Sequence, residues 1–195
     1  MPYSSAGSSV AAASGETNST VAVLLAAGVA FAETVDCVAG EDFCIGTDES
    51  DTLNGSEVRD KIFGLAGNDK LYGNDGNDTL RGGDGHDTME GGAGHDNLKG
   101  QVLGNDRLIG GPSPDYLNDE VGRNRMYGGD ANDTLYGIGD VLSGGPGDDQ
   151  IFLYDYDAAG PTAVYGGPGE DGRYTGPCIN VSLGPSGSQP SHLDA

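Results

Sequence analysis

Aspartate recurs along the middle of this chain at one fixed place in a glycine-rich pattern. From Gly64, four consecutive nine-residue blocks read GLAGNDKLY, GNDGNDTLR, GGDGHDTME and GGAGHDNLK. Glycine-rich turns can point backbone carbonyls at a common centre, and the aspartate adds a carboxylate to them. These oxygen ligands suit calcium, which accepts about six to eight oxygens in flexible geometry, better than magnesium with its strict octahedron. The spacing therefore predicts repeated calcium sites.

The pattern continues on both sides of these four blocks. We number the places of a block from one, its first glycine, to nine, so the aspartate stands at place six. Glycines at places one, two and four are expected to adopt positive φ values, which permit a tight turn. The looser blocks read GTDESDTLN from Gly46, GSEVRDKIF, GQVLGNDRLI, GGPSPDYLN, DEVGRNRMY, GGDANDTLY, GIGDVLS, GGPGDDQIF and, after a longer connection, GGPGEDGRY from Gly166.

The end of each block alternates polar, apolar and polar residues, as in Asp78-Thr79-Leu80-Arg81, which predicts a very short strand with one buried face. A single block cannot bury its aliphatic residue alone, so successive blocks must stack as in a solenoid. The expected core is Leu53, Ile62, Leu71, Leu80, Met89, Leu98, Leu108, Leu117, Met126, Leu135, Leu142 and Ile151.

Over residues 46–174 the blocks resemble the RTX, or haemolysin-type, calcium-binding repeat G-G-x-G-x-D-x-U-x, in which U is a large aliphatic residue. The resemblance implies an all-β fold, a right-handed parallel β-roll (a β-solenoid) in which two blocks form one turn and calcium ions lie in the turns on either edge. Metal ligands carried over from this resemblance are Asp51, Asp60, Asp69, Asp78, Asp87, Asp96, Asp106, Asp115, Asp133, Asp140 and Asp149, with turn carbonyls of Gly64, Gly73, Gly76, Gly82, Gly85, Gly91 and Gly94.

Some blocks depart from the pattern. Val58 stands at place four, Asn124 replaces the place-six aspartate, and the block from Gly137 is two residues short. The sites from Asp69 to Asp96 are therefore the strongest candidates. Asp75 and Asp84, at place three, are expected to raise the local negative potential rather than to bind the ion.

The composition supports folding that depends on a cation. The 195 residues include 36 Gly, and 31 acidic against 9 basic side chains give a formal charge of −22. Such a chain buries too little apolar surface to offset its entropy unless its carboxylates are neutralised. We therefore expect a chain that folds on binding several calcium ions, and we expect neither nucleic acid nor membrane insertion among its interactions.

The flanking segments indicate export. Residues 1–32 contain an apolar run, Val21 to Ala32, that ends in an A-x-A-like site typical of a secretory leader, although no Lys or Arg precedes it. Residues 33–45 carry Cys37 and Cys44, which are expected either to close a small loop or to stay unpaired. Residues 175–195 are an irregular tail. The protein is thus predicted to be secreted and extracellular.

No catalytic motif accompanies the repeat. The sequence has no H-E-x-x-H, no G-x-S-x-G and no phosphate-binding loop, and His86 and His95 are expected to face solvent on opposite edges. We predict a non-catalytic protein with a structural or adhesive role. The alternative is the repeat tail, an export and folding module, of a larger secreted hydrolase or toxin. Aromatic residues at place nine indicate a possible polysaccharide or protein partner at the cell surface: Phe63, Tyr72, Tyr127, Tyr136, Phe152, Tyr165 and Tyr174.

Overall fold

The structure is a computed structural model that describes residues 34–39, 43–101, 103–153, 163–171 and 180–182, with residues 138–140 and 180–182 described by their backbone only. This part of the chain contains strands and turns and no helix. The strands are β1 (Thr34–Asp36), β2 (Cys44–Ile45), β3 (Thr52–Asn54), β4 (Lys61–Ala66), β5 (Lys70–Asp75), β6 (Thr79–Asp84), β7 (Thr88–Ala93), β8 (Asn97–Lys99), β9 (Arg107–Gly111), β10 (Tyr116–Gly129), β11 (Thr134–Ser143), β12 (Gln150–Leu153), β13 (Ala163–Tyr165) and β14 (Asn180–Ser182).

Every strand pair is parallel, and from β1 to β8 each strand pairs with the strand two further along the chain rather than with the next one. Odd strands form the column β1-β3-β5-β7-β9, and even strands form the column β2-β4-β6-β8. Leu53 is in register with Leu71, and Leu71 with Met89. One turn of the solenoid is therefore two blocks, which confirms the predicted all-β parallel roll.

The two columns meet at β10, which passes around one edge of the roll without interruption. Its first part pairs with β8, where Leu117 is in register with Leu98. Its last part pairs with β9, where Met126 is in register with Leu108. A register shift between Asp119 and Asn124 marks the turn inside this strand. An irregular block thus preserves the strand register on both faces of the solenoid.

The core is a single stack of aliphatic side chains between the two faces. All twelve predicted core residues have no exposed surface, and Val164 and Cys44 extend the stack at its two ends. Burying one such side chain contributes about 1.5 to 3 kcal/mol, so a single block cannot hold its fold but a stack can.

Several strands are longer than the predicted triplets. β4 continues past its place-nine residue, and Leu65 and Ala66 pair with Gly83 and Asp84 of the next turn. Backbone N–H and C=O groups at the start of a block are enclosed by neighbouring turns, so they must also find partners. The ladder therefore extends into the glycine segment that the sequence pattern assigns to the turn.

The N-terminal end of the roll carries a disulfide between Cys37 and Cys44, whose Cα atoms are 5.5 Å apart. Of the two alternatives for these cysteines, the small covalent loop is the one found. The expected leader, most of the tail and Cys178 lie outside the described residues. No helix that is long and apolar enough to cross a membrane occurs within the described residues.

Candidate metal centres

The place-six side chains form two columns, one on each edge of the roll, and nearly all of them are buried. The first edge carries Asp51, Asp69, Asp87, Asp106 and Asn124, and the second edge carries Asp60, Asp78, Asp96, Asp115, Asp133, Asp149 and the half-buried Asp171. The side chain of the predicted ligand Asp140 lies outside the described side chains. Residues one turn apart in a column are neighbours in space.

One carboxylate oxygen of each aspartate has a fixed structural partner. The backbone N–H of Asp51 donates to Oδ1 of Asp69 at 2.8 Å, and the N–H of Asp69 donates to Oδ1 of Asp87 at 2.9 Å. The same ladder runs along the second edge, from the N–H of Asp60 as far as Oδ1 of Asp171. These bonds fix the orientation of every aspartate carboxylate that follows Asp51 and Asp60 in the two columns.

The other carboxylate oxygen is the unusual one. Oδ2 is buried and has no hydrogen-bond partner in Asp69, Asp78, Asp87, Asp96, Asp115, Asp133 and Asp149. An unpaired anionic oxygen is costly to bury, because the carboxylate loses its water without gaining a compensating interaction. The structure therefore leaves a row of carboxylate oxygens that require a proton or a cation.

Burial raises the pKa of these carboxyls. It raises the pKa of Asp78, Asp87, Asp115 and Asp133 to about 7 and that of Asp69, Asp96 and Asp149 to about 6, against the opposing effect of the ladder hydrogen bonds. It raises the pKa of Asp106 and Asp171 as well. The charged form is thus disfavoured unless positive charge is supplied.

Backbone carbonyls converge on the same places. A Cβ added to Gly64 would meet Oδ2 of Asp69 and the carbonyl oxygen of Gly82. A Cβ added to Gly73 would meet Oδ2 of Asp78 and the carbonyl oxygen of Gly91. The same pair of a carboxylate oxygen and a carbonyl oxygen from the next turn lines the space beside the place-one glycines Gly46, Gly110 and Gly128.

The structure corrects the reason for glycine at place one. Gly64, Gly73, Gly82 and Gly91 do not have positive φ values, so the expectation of positive φ at this place is wrong. Glycine is required there because any side chain would fill the oxygen-lined space. At place four the expectation is confirmed, with φ values of 134° at Gly76, 132° at Gly85 and 128° at Gly94.

The donor set of these spaces fits a hard cation. It consists of carboxylate and carbonyl oxygens, without the nitrogen or sulfur ligands that zinc prefers. The described residues contain no group of three or more His, Cys, Asp or Glu side chains placed to hold a metal. A cation in these turns would therefore depend on backbone carbonyls for most of its ligands, as calcium commonly does.

Two predicted ligands have a different environment. Oδ2 of Asp51 accepts hydrogen bonds from the N–H and the hydroxyl of Thr47, at 2.6 and 2.9 Å. Oδ2 of Asp60 accepts the same pair from Ser56. Thr47 and Ser56 stand at place two, where no later block has a hydroxyl side chain, so the first turn on each edge is closed by its own hydroxyl.

Sequence reasoning missed two aspartates. Asp171 occupies place six of the block from Gly166 and continues the second edge, so the pattern itself could have identified it. Asp119 occupies place one, where glycine is usual, and its side chain is buried beside Asp106. Burial and the neighbouring charge of Asp106 raise the pKa of Asp119 to about 9.

His86 and His95 lie on opposite edges, as expected, and both are exposed. Nδ1 of His86 accepts the backbone N–H of Asn105, and Nδ1 of His95 lies 2.8 Å from the carbonyl oxygen of Pro114. These contacts join neighbouring turns along the place-five columns. They give the two histidines a structural role and do not bring them together.

The fold and its edges together define a repeat solenoid with candidate calcium sites in its turns. The family model of the RTX calcium-binding nonapeptide repeat matches the chain in four copies, at residues 45–80, 63–98, 102–135 and 139–155, together more than half of its length. The chain therefore belongs to the RTX calcium-binding nonapeptide repeat family. No curated protein matches it.

Proposed function

We propose that the chain binds several calcium ions in the turns along both edges and that this binding drives its folding. The observation that carries the proposal is the row of buried Oδ2 atoms without hydrogen-bond partners. Bound calcium supplies the positive charge that neutralises these oxygens. The proposed ligands are Asp69, Asp78, Asp87, Asp96, Asp106, Asp115, Asp133 and Asp149, together with turn carbonyls.

The remaining predicted ligands are weaker candidates. Asp51 and Asp60 already receive two hydrogen bonds at Oδ2, so a cation would have to displace Thr47 or Ser56. We propose Asp171 as an additional ligand because it ends the second-edge ladder. Asp140 remains a proposal from the sequence pattern alone.

Calcium binding and folding are coupled in this proposal, because the ligands are brought together only when consecutive turns stack. The formal charge of −22 opposes compaction in the absence of cations. A thin core of one aliphatic residue per block offsets only part of that repulsion. We therefore expect the calcium-free chain to be largely unfolded at neutral pH.

Circular dichroism of the full chain tests this proposal. Chelator-treated protein is titrated with calcium and, separately, with magnesium while the far-UV β signal is recorded. A cooperative gain of β signal with calcium, and none with magnesium at the same concentration, is expected. Equilibrium dialysis that detects no bound calcium would disprove the proposed function.

We further propose a secreted, non-catalytic protein with a structural or adhesive role, in which residues 46–174 form the roll behind a leader at residues 1–32. The family assignment supports this role, since such repeats are generally exported, and the Cys37–Cys44 disulfide suits an oxidising compartment. The alternative is the repeat module of a larger secreted hydrolase or toxin. Mass analysis of the secreted product separates the two, because a larger mature chain would favour the alternative.

A second candidate function is supported by an aromatic row on one face of the roll. The rings of Tyr136 and Phe152 are stacked, with centroids 4.4 Å apart, and Tyr116 lies 5.4 Å from Tyr136 on the other side. These side chains are partly exposed and form a platform on which sugar rings can stack. Binding of calcium-loaded protein to insoluble polysaccharides, compared with its Phe152→Ala variant, tests this function.

A further inference from the structure

One turn on the first edge differs from the others in its first residue. Asp119 stands where the preceding turns of this edge have Gly64, Gly82 and Gly100. Its side chain is 1% exposed; Oδ1 lies 3.4 Å from the N–H of Val121, and Oδ2 accepts no hydrogen bond from an N–H or hydroxyl group. A second buried carboxylate oxygen is therefore present where the repeat pattern has none.

This oxygen is aimed at the neighbouring candidate site. A Cβ added to Gly100 would meet Oδ2 of Asp119 and Oδ2 of Asp106, whereas the corresponding Cβ on Gly64 would meet one carboxylate oxygen and one carbonyl oxygen. Two carboxylates thus face the same space beside Gly100. Their combined charge equals that of one divalent cation.

The turn that follows is closed in another way. Oδ1 of Asn124 accepts the N–H of Asp106 at 2.9 Å and so preserves the ladder. Because Oδ1 is the acceptor, Nδ2 must occupy the position that Oδ2 takes in an aspartate, and it donates to the carbonyl oxygen of Val121 at 2.9 Å. An N–H group at this position cannot bind a cation. Its hydrogen bond also occupies the carbonyl oxygen of Val121, which could otherwise serve as a ligand.

We propose that Asp106 and Asp119 together hold one calcium ion in a two-carboxylate site, and that Asn124 closes the next turn without an ion. This inference rests on the proposed calcium-binding function. Affinity for calcium rises with the number of charged ligands, so this is the tightest site on the first edge. The block that begins at Asp119 has Asn124 instead of aspartate at place six. Its carboxylate stands at place one instead and faces the candidate site of the preceding turn.

Two substitutions in the full chain test the proposal by calorimetric titration with calcium and by equilibrium dialysis. Asp119→Asn keeps the shape of the side chain and is expected to weaken the tightest calcium site by roughly 10- to 100-fold. Asn124→Asp removes the amide donor and is expected to add one bound calcium per chain. Glu120→Gln, which removes one charge from the adjacent exposed residue, is the matched control and is expected to leave binding unchanged.

The outcomes separate this inference from the proposed function. If the unmodified chain binds calcium but Asp119→Asn titrates as Glu120→Gln does, the Asp106–Asp119 pair shares a proton rather than an ion and the inference is wrong. If Asn124→Asp binds the same number of calcium ions as the unmodified chain, the proposal that Asn124 closes its turn without an ion is wrong. Circular dichroism at saturating calcium shows whether each variant still forms the roll. If the unmodified chain binds no calcium, the proposed function itself fails.

Discussion

At the place-six aspartate, the two oxygens of one carboxylate have separate tasks. Oδ1 of Asp78 accepts the N–H of Asp60 and stacks one turn on the previous one, whereas Oδ2 is buried without a partner. Asn124 shows that an amide can perform the first task, since its Oδ1 accepts an N–H in the same way. The structural contribution of these residues can therefore be separated by substitution from the ion binding that we propose for them.

Replacing Asp78 and Asp87 with Asn is expected to retain the ladder and to weaken calcium binding and calcium-driven folding together. Each change removes a buried anionic oxygen, one on each edge. The midpoint of the calcium titration followed by circular dichroism should rise by roughly 10-fold or more.

The matched control for this prediction is the double variant Asp75→Asn and Asp84→Asn. It removes the same charge from exposed place-three residues in the same two blocks. The two double variants should differ clearly in midpoint. Identical midpoints would show that place-six carboxylates contribute only net charge.

Leu65 is a residue whose backbone conformation does not suit its side chain. It stands at place two with a φ of 87° and is 46% exposed, so burial contributes little to compensate the strain. Leu65→Gly is expected to raise the free energy of unfolding of the calcium-loaded protein by about 1 kcal/mol, measured in urea.

Val121→Gly is the control for Leu65→Gly, because Val121 is equally exposed, at 45%, and has no positive φ. Glycine there should lower the free energy of unfolding by about 0.5 to 1 kcal/mol, through the greater freedom of the unfolded chain. Destabilisation by both substitutions would contradict the strain at Leu65.

At the scale of the strands and turns, the N-terminal end of the roll is closed by local bonds rather than by stacking. Thr47 and Ser56 close the first turn on each edge through their hydroxyls, and the disulfide ties β1 to β2. A solenoid exposes the end of its core unless a terminal unit covers it. These features make the first blocks a cap, and Cys44 covers the end of the aliphatic stack.

Reduction of the Cys37–Cys44 disulfide is expected to lower the free energy of unfolding by about 2 kcal/mol, because the small loop it closes restrains the unfolded chain. Urea unfolding of calcium-loaded protein, with and without dithiothreitol, measures this difference. Circular dichroism should still show the roll after reduction, since the proposed calcium sites lie elsewhere. Loss of the whole β signal on reduction would instead make the cap essential for folding.

At the scale of the whole molecule, the proposed calcium binding makes protons and calcium competitors for the same buried carboxylate oxygens. The folded calcium-free form has carboxyl pKa values of about 6 to 7 at Asp69, Asp78 and Asp87, above the ordinary value for aspartate. It therefore binds more protons than the unfolded chain between about pH 4 and pH 7. Its stability is greatest at the acid end of this range and is lost as the pH rises through 6 to 7.

Calcium-free protein is accordingly expected to gain β signal when the pH falls from 8 to 5. The apparent affinity for calcium should change in the opposite sense and rise with pH over the same range, because each ion displaces protons. Circular dichroism and calcium titration at a series of pH values measure both effects. A β signal that stays constant from pH 8 to 5 without calcium would contradict the raised pKa values of the buried carboxyls.

Much of this protein follows from the sequence because its structural unit is local. The place-six aspartate and the place-eight aliphatic residue recur in nearly every block, so their period predicts short stacked strands and the core, and the resemblance to the RTX repeat implies the parallel roll and its two-block turn. The expectation of positive φ at the place-one glycine is wrong, because glycine is required there by oxygens that belong partly to the next turn.

Only the tertiary structure decided which turns remain open to a cation. Asp51 and Asp69 occupy the same place in their blocks, yet Oδ2 is bonded to Thr47 in one and unpartnered in the other. Asp119 reaches Asp106 because stacking places residues from successive turns side by side. Such contacts join residues one turn apart, so the pattern within a block, which determined the fold, could not specify them.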